Sequence, residues 1–322
     1  MAFNRADYVK IKKEYESKRQ KARETVELHR AQVFAKIPGM DEICRTIESA
    51  GPRAYEAAMK DASSFDEHFA EIKRQTQSLV AEQTRLLIEN GYPEDYLDLH
   101  YDCPLCHDEG NIDGKMCDCM RGALIKAGYV SSGISGLCDK MNFDTFDLSY
   151  YTGEARRNAE LVLRCAKRFA EEFHGEGSGS LLFMGGTGLG KTHLSVAVAK
   201  RVIERGYYTY YCTAEAMFAD YRAEKYRRFD DDSPVRTDKY TECELLVIDD
   251  LGTESGGRDV TPTLYGLVNA RINAGLSTII STNLSHKEMM TTYDERVASR
   301  LFGEYLPYMF TGSDVRMQKL RN

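Results

Sequence analysis

In the second half of the chain, short apolar runs alternate with longer stretches in which apolar residues recur every three or four positions. The short runs predict β-strands at residues 181–184, 207–212, 244–249, 277–282 and 306–311. The longer stretches predict helices at residues 154–173, 191–205, 214–226, 261–274 and 295–302. Strands that alternate with helices are typical of a parallel sheet with crossover helices, so the sequence predicts an α/β fold.

Residues 1 to about 90 contain few glycines and show the helical period instead. The pattern predicts a small helical bundle, interrupted at Pro38–Gly39, Gly51–Pro52 and Gly91–Pro93. Its inward-facing positions are predicted to be Val26, Leu28, Val33, Phe34, Ile37, Ile43, Ile47, Phe69, Ile72, Leu79, Leu86 and Leu87. In the first helix, lysines and arginines alternate with glutamates at spacings that permit ion pairs, which favours a solvated face over a nucleic-acid patch.

The composition is that of an ordinary globular protein, with 42% hydrophobic and 29% charged residues. The length of 322 residues suits two domains. The apolar runs are too short to span a membrane, and the charged N-terminus is unlike a signal peptide, so we expect a cytoplasmic protein without a membrane partner. The net charge of -7 argues against a protein that coats duplex DNA over its whole surface.

A phosphate-binding loop follows the first predicted strand. Residues 181–192 read LLFMGGTGLGKT, which contains the pattern G-x-x-x-x-G-K-T between a buried strand and a helix. Glycines allow backbone N–H groups to surround a phosphate, the lysine reaches the outer phosphates, and the threonine hydroxyl binds Mg²⁺. The residues predicted to bind ATP are therefore Gly185, Gly186, Thr187, Gly188, Leu189, Gly190, Lys191, Thr192 and His193.

Two further predicted strands end in polar residues that complete this site. The run 245–250 reads LLVIDD, and its end is expected to lie beside the triphosphate. Asp249 is predicted to hold Mg²⁺ together with Thr192, and Asp250 to polarise the attacking water. Asn283 follows the next strand and can hydrogen-bond the γ-phosphate, although an asparagine in this position is often only a turn residue.

Three arginines near the end of the chain are candidates for contacts with phosphate. Arg296 and Arg300 lie four residues apart, on one face of a predicted helix, and could reach the γ-phosphate of a neighbouring subunit. Surface salt bridges with Asp294, Glu295 or Glu304 explain the same spacing equally well. Arg316 follows the last strand and is a weaker candidate.

Four of the nine cysteines lie within residues 101–120, which read YDCPLCHDEGNIDGKMCDCM. Cys103 and Cys106 form one pair, Cys117 and Cys119 a second, and the glycine-rich residues between them suit a hairpin. Four thiolates can complete a tetrahedral zinc shell without water, which favours a structural zinc site. Two alternatives stay open: His107 replaces one thiolate, or the thiols bind no metal.

The remaining cysteines are scattered among apolar residues and are predicted to be small core side chains: Cys44, Cys138, Cys165, Cys212 and Cys243. Glycine and serine are frequent from residue 128 to 137, which predicts a boundary between domains. We therefore divide the chain into a helical domain (1–98), a zinc module (99–127), a linker (128–140) and a nucleotide-binding domain (141–322).

The segments GGTGLGKTHL, LLVIDDLG, STNLS and ERVASRL, in this order, resemble the AAA+ ATPase domain of the DnaC/DnaI family of bacterial replicative-helicase loaders. This family is related to the DnaA initiator and to the IstB transposition helper. The resemblance implies Walker A at residues 185–192, Walker B at Asp249 and Asp250, and sensor 1 at Asn283. It further implies an arginine finger at Arg300, assisted by Arg296, and a sensor-2 role for Arg316. Many AAA+ relatives have glutamate at the position of Asp250. The shorter aspartate side chain of this chain therefore implies slow ATP hydrolysis.

The resemblance implies an ATPase, stimulated by DNA, that binds a hexameric helicase through its N-terminal half and delivers it to single-stranded DNA. Its cofactors would be ATP, Mg²⁺ and Zn²⁺, and the arginine finger implies a homo-oligomer when ATP and helicase are bound. A transposition helper of the IstB type has a similar ATPase core but not the cysteine-bearing N-terminal half. A small-molecule kinase and a zinc adaptor that binds nucleotide without hydrolysis are alternatives from other classes.

Overall fold

In the computed structural model, which describes residues 3–60, 65–226 and 237–320, the chain forms two compact units. We call Lys12–Cys117 the helical unit, and Met1–Ile11 together with Asp118–Asn322 the sheet unit. Among the described residues, no helix is long and apolar enough to cross a membrane.

Outside residues 61–64, the helical unit contains four helices, the first of which begins in the sheet unit: α1 (Arg5–Lys36), α2 (Met40–Glu48), α3 (Ala50–Lys60) and α4 (Phe65–Glu89). Its buried core contains Val33, Ile37, Met40, Cys44, Leu87 and Leu97. The break at Pro38–Gly39 was predicted: α1 ends at Lys36, and Gly39, the N-cap of α2, has φ 82°, a left-handed conformation that favours glycine. The predicted bundle is confirmed, but Leu28 of α1 and Phe69 of α4, which were predicted to face inward, are exposed.

A short antiparallel hairpin, β1 (Asn111–Ile112) and β2 (Lys115–Met116), lies between the two cysteine pairs. Its turn residues Asp113 and Gly114 both have positive φ, at 50° and 76°. Two consecutive positive φ angles characterise the tight hairpin turn for which Asp-Gly is a preferred pair. The hairpin expected from the glycine-rich sequence is therefore present.

In the described part of the sheet unit, five strands form a parallel sheet: β3 (Ser180–Met184), β4 (Thr209–Thr213), β5 (Leu245–Leu251), β6 (Ser277–Thr282) and β7 (Tyr305–Met309). The strand order is β4-β5-β6-β3-β7, so that β3 and β6 are central and β4 and β7 form the edges. Leu181 and Phe183 pack into one apolar cluster, whereas Leu182 and Met184 pack into another on the opposite face of the sheet. The predicted α/β fold of the AAA+ type is confirmed.

Helices cover both faces of this sheet, as the crossover connections require. They are α5 (Asp118–Ser131), α6 (Gly153–Glu172), α7 (Lys191–Glu204), α8 (Ala214–Lys225), α9 (Lys239–Glu242), α10 (Val260–Asn273), α11 (His286–Tyr293), α12 (Glu295–Glu304) and α13 (Val315–Lys319). Each predicted strand and helix of the sheet unit lies within a few residues of its observed bounds.

The segment predicted as a linker, residues 128–140, is instead folded as part of the sheet unit. Helix α5 continues through Gly128 to Ser131, and the side chains of Ile134 and Cys138 are buried in the core, with exposed fractions of 0% and 3%. The glycines and serines therefore mark turns against the sheet. The larger segment of the sheet unit begins at Asp118, whereas the sequence predicted a domain that begins at residue 141.

Candidate nucleotide and metal sites

The candidate nucleotide site lies where β3, β5 and β6 end, because parallel strands place their carboxyl ends at one edge of the sheet. The predicted phosphate loop follows β3, and α7 begins at Lys191. The N-terminus of α7 therefore faces the loop, an arrangement that favours a bound anion.

At two positions of the loop, neighbouring residues lie so close that only glycine fits. Gly188 has φ 71°, and a Cβ atom there would collide with the carboxylate of Asp314, which caps α13. Gly190 has φ 92°, and a Cβ atom would lie 2.8 Å from both the Phe146 ring and the Tyr151 hydroxyl. The loop is thus packed against the segment that precedes α6 and against the C-terminal helix.

Lys191 is 5% exposed, and its ammonium group connects the loop to the neighbouring strand. Nζ donates hydrogen bonds to the carbonyl oxygens of Gly185 and Gly186, both at 2.7 Å, and to Oδ1 of Asn283 at 2.6 Å. Burial lowers the pKa of Lys191, while the nearby carboxylate charges of Asp250 and Asp249 oppose this shift. Phosphate oxygens are acceptors of the same kind, so this ammonium is well placed to bind them.

Asp249 is the most densely hydrogen-bonded carboxylate of the site and is 2% exposed. Oδ1 accepts a hydrogen bond from the Thr192 hydroxyl at 3.2 Å and another from the Ser281 hydroxyl. Oδ2 accepts a hydrogen bond from the Tyr211 hydroxyl at 2.8 Å. Thr192 and Asp249, the predicted magnesium residues, are therefore in contact. Hard oxygen donors of this kind suit Mg²⁺, so the side chains present fit this ion.

Asp250 adopts φ 56°, an unusual conformation for a residue other than glycine, and its side chain lines the candidate nucleotide cavity. Its backbone N–H donates to the Ser281 hydroxyl at 2.9 Å. Burial and the adjacent charge of Asp249 raise the pKa of Asp250, and Lys191 acts in the opposite direction. A carboxylate with a raised pKa in this position is a candidate to accept a proton from water.

A cavity of ≈ 310 Å³ lies beside the loop and is lined by Thr187, Gly188, Leu189, Gly190, Lys191, Thr192, His193, Asp250 and Asn283. Its other walls were missed by sequence reasoning: Met141, Thr145, Phe146, Tyr150 and Tyr151 on one side, Val315 and Lys319 on another. The sequence signal for these walls is weak, since the segment 141–146 reads MNFDTF and contains only two phenylalanines. Aromatic walls beside a phosphate loop suit a planar base.

His193 belongs to the wall of the cavity rather than to the loop itself. One of its ring nitrogens, Nε2, lies 2.8 Å from the carbonyl oxygen of Asn142 and 3.3 Å from the Thr145 hydroxyl. Burial lowers the pKa of His193. Polar contacts of the His193 ring therefore connect the segment 142–146 to the start of α7.

The three candidate arginines occupy different positions. Arg316 lines the cavity, whereas Arg296 and Arg300 do not. Arg296 lies 3.2 Å from Asp294, and Arg300 lies 3.9 Å from Glu304 in the same helix. Both side chains are solvent-exposed, with exposed fractions of 75% for Arg296 and 46% for Arg300.

Tyr211 and Ser281 are site residues that sequence reasoning missed, since both lie within apolar strands. Tyr211 belongs to a run of tyrosines that we interpreted as strand residues, and Ser281 lies next to Thr282 in β6. Burial and the charge of Asp249 raise the pKa of Tyr211, which keeps its hydroxyl protonated and able to donate.

The four predicted zinc cysteines form one cluster, in which all the sulfur atoms lie within 4.8 Å of one another. Sγ of Cys103 and Sγ of Cys117 are 3.9 Å apart. Tetrahedral zinc with Zn–S bonds of about 2.3 Å requires sulfurs about 3.8 Å apart, so the spacing fits this ion. Cys106 and Cys117 are buried, and Cys103 and Cys119 are partly buried.

Backbone hydrogen bonds hold the first cysteine pair in place. The Gly110 N–H points to the Cys106 sulfur at 3.3 Å, and the buried Asp108 carboxylate accepts the N–H groups of Asp102 and Cys103. His107 is exposed and stacks on Tyr101, and it is not part of the cluster. The cysteine cluster, rather than a cluster containing this histidine, is thus the candidate zinc site. Of the other cysteines, all are buried except Cys165, which is partly buried.

We predict that Cys106→Ser lowers the zinc content of the purified protein from about one ion per chain to none, because three thiolates no longer close the shell. The unfolding temperature should fall as well, since structural zinc stabilises the fold that presents its ligands. Metal content is measured by mass spectrometry after gel filtration. Cys165→Ser, outside the cluster, is the matched control. Full zinc content in the Cys106→Ser protein would contradict the assignment.

The chain is similar in sequence to several known proteins. The replicative helicase loader DnaC of Buchnera aphidicola subsp. Acyrthosiphon pisum is 29% identical over 174 residues, which are 53% of this chain. The aligned part spans 66% of that loader, just under two thirds. DnaC of Escherichia coli K12 is 26% identical over 181 residues, 56% of this chain and 71% of the loader. A crystal structure of the DnaC helicase loader is 23% identical, covers 54% of this chain and 98% of its own, and has a TM-score of 0.46.

The family described as IstB-like ATP binding protein matches residues 139–303, which are just over half of the chain. The matched part contains the phosphate loop, both strand-end carboxylates, Asn283 and Arg300. The resemblance to DnaC-type loaders is confirmed, and the chain belongs to the family of IstB-like ATP-binding proteins.

Proposed function

We propose that this chain is an ATP-dependent loader of the replicative DNA helicase. Its helical unit binds the hexameric helicase, and its sheet unit binds ATP and single-stranded DNA in the cytoplasm. The loader delivers the helicase to single-stranded DNA at the start of replication. ATP binding and hydrolysis act as the switch that releases the helicase. The names of the DnaC relatives support this proposal.

The observation that carries the ATP part of the proposal is the pair of contacts between the loop and the strand ends. Lys191 reaches Asn283 at 2.6 Å, and Thr192 reaches Asp249 at 3.2 Å. In this proposal Lys191 and Asn283 bind the γ-phosphate, whereas Thr192 and Asp249 hold Mg²⁺. Magnesium neutralises the charge on the phosphates, and the side chains fix the orientation of the triphosphate.

Hydrolysis requires a group that activates water, and we assign this role to Asp250. Its carboxylate lines the same cavity as Lys191, and its raised pKa suits a proton acceptor. Aspartate is one methylene shorter than glutamate and reaches less far towards the γ-phosphate. We therefore propose slow turnover, stimulated by single-stranded DNA, which suits a switch better than a motor.

The site needs a second copy of the chain. Arg300 and Arg296 are exposed on α12 and absent from the walls of their own cavity, which supports a role at a neighbouring nucleotide. Arg316 lines its own cavity and is proposed to contact the phosphates within the same chain. ATP and the helicase would then favour a homo-oligomer.

A transposition helper is the second candidate, because the matching family bears the IstB name. The cysteine cluster and the helical unit favour the loader. The pair Asp249 and Asp250 favours hydrolysis over transfer to a small-molecule acceptor, which argues against a kinase.

Gel filtration of the full chain with the replicative helicase of the same organism tests the proposal. We expect co-elution of the two proteins in the presence of ATP, and their separation when single-stranded DNA is added. A non-hydrolysable ATP analogue should preserve the complex. Separate elution under all conditions would contradict the loader function and would leave the transposition helper.

A further inference from the structure

Tyr211 stands out among the residues around Asp249 because both its side chain and its backbone make specific contacts. Its hydroxyl donates to Oδ2 of Asp249 at 2.8 Å. The other two hydroxyl donors, from Thr192 and Ser281, reach Oδ1 instead. Within the described residues, Tyr211 is thus the one side chain that donates to Oδ2, the oxygen that remains after the contact with the phosphate loop.

A buried carboxylate depends strongly on such donors. Asp249 is 2% exposed, and an ionised carboxylate removed from water is costly unless its oxygens are hydrogen-bonded. Donors on both oxygens also fix the rotation of the carboxylate about its Cβ–Cγ bond. The rotation of the carboxylate decides whether one of its oxygens points towards the Thr192 hydroxyl. Asp249 and Thr192 would hold magnesium together only in that orientation.

The backbone of Tyr211 is hydrogen-bonded to the segment that directly precedes residues 141–146 of the cavity wall. We call residues 132–138, which follow α5, the strap. Tyr211 lies in β4, an edge strand, and its backbone N–H donates to the carbonyl oxygen of Ser132 at 2.8 Å. Ser132 is completely buried, and Gly133 packs so closely that a Cβ atom there would lie 3.1 Å from the Tyr211 carbonyl oxygen. Tyr211 therefore contacts the strap through its backbone and Asp249 through its side chain.

We propose that Tyr211 is a positioning residue for the magnesium site, which orients Asp249 and makes this orientation depend on the strap. This inference rests on the proposed function, because it assumes that Asp249 holds Mg²⁺. Its consequence is specific: a displacement of the strap would change the affinity for magnesium without touching the phosphate loop. Since the strap continues α5, movements of that helix would reach the nucleotide site by this route.

The test compares Tyr211→Phe with the control Tyr210→Phe, which removes a hydroxyl from the neighbouring residue of β4. The ring of Tyr210 packs against Tyr240. A fluorescent ATP analogue is titrated first in EDTA and then at increasing Mg²⁺ concentration, and binding rather than turnover is measured. We expect Tyr211→Phe to bind the analogue in EDTA as the unmodified protein does. The Mg²⁺ concentration for half-maximal tightening should rise about 10-fold, as is typical when a partner of a metal ligand is lost. Tyr210→Phe should show no change.

A second variant tests the role of the strap. Gly133 has φ 83°, so Gly133→Ala strains the backbone and pushes against the Tyr211 carbonyl oxygen. We expect it to raise the half-maximal Mg²⁺ concentration, and to add little when combined with Tyr211→Phe, because both changes act on one contact. Additive effects of the two substitutions would overturn the link to the strap.

The outcomes separate this inference from the proposed function. If the unmodified protein binds the analogue more tightly with Mg²⁺ and Tyr211→Phe retains the same Mg²⁺ dependence, the positioning role is overturned and the ATP site stands. If the unmodified protein shows no binding of the analogue, or no effect of Mg²⁺, the proposed magnesium site is overturned and the inference with it.

Discussion

Lys191→Ala is expected to reduce ATP turnover by a factor on the order of 10²–10³, the usual loss when a charged or polar group that stabilises the transition state is removed. The ammonium group is buried and makes three short hydrogen bonds to Gly185, Gly186 and Asn283. Alanine removes the positive charge between the loop and β6, where the outer phosphates are proposed to bind. Affinity for ATP should fall together with turnover.

Release of phosphate, measured with saturating single-stranded DNA, checks this prediction. Lys200→Ala is the matched control, because Lys200 lies on the same helix but does not line the cavity. Its turnover should equal that of the unmodified protein. Turnover by Lys191→Ala within a few-fold of the unmodified protein would contradict the assignment of the phosphate loop.

Arg300→Ala is expected to lower turnover of the assembled protein by about 10³-fold, the lower end of the range for arginine fingers. Binding of ATP to a single chain should persist, since Arg300 does not line the cavity of its own chain. Arg296→Ala should have a smaller effect, because Arg296 is proposed only to assist. Turnover and equilibrium binding of a fluorescent ATP analogue are therefore measured separately.

Mixing experiments show whether the arginine acts on a neighbouring chain. An Arg300→Ala chain retains its phosphate loop, and a Lys191→Ala chain retains its arginine. Where the two chains are adjacent, one complete site forms between them, so an equal mixture should be more active than either variant alone. A mixture no more active than its components would show that Arg300 does not act between chains.

The candidate nucleotide site could be predicted largely from the sequence, because each of its parts follows the end of a strand. An apolar run followed by Gly-Lys-Thr, Asp-Asp or Asn places the polar residues at the same edge of a parallel sheet. Lys191, Asp249 and Asn283 accordingly lie close together in the structure. The four cysteines were predictable for a similar reason, since their spacing and the Asp-Gly turn between the pairs are local features.

The site residues that could not be predicted depend on packing between residues that are distant in sequence. Tyr211 lies in a tyrosine-rich strand, and nothing local distinguishes the ring whose hydroxyl reaches Asp249 from its neighbours. The walls formed by Phe146, Tyr151 and Arg316 come from segments on either side of the sheet sequence. These contacts are set by the tertiary fold.

The position of the domain boundary has a practical consequence. The glycines and serines of residues 128–137 suggested a linker, but Ile134 and Cys138 belong to the core of the sheet unit. A truncation at residue 142 would therefore expose apolar core. Tests of the helical unit are better made with substitutions in the full chain.

Loading of the helicase onto a closed circle of single-stranded DNA tests the central claim most directly. The replicative helicase of the same organism is incubated with the circle, ATP and the full chain, and helicase bound to DNA is measured after gel filtration. We predict that the unmodified chain increases the bound helicase well above the amount without loader, and that Lys191→Ala does not. Equal loading with the unmodified chain, with Lys191→Ala and without either would contradict an ATP-dependent helicase loader.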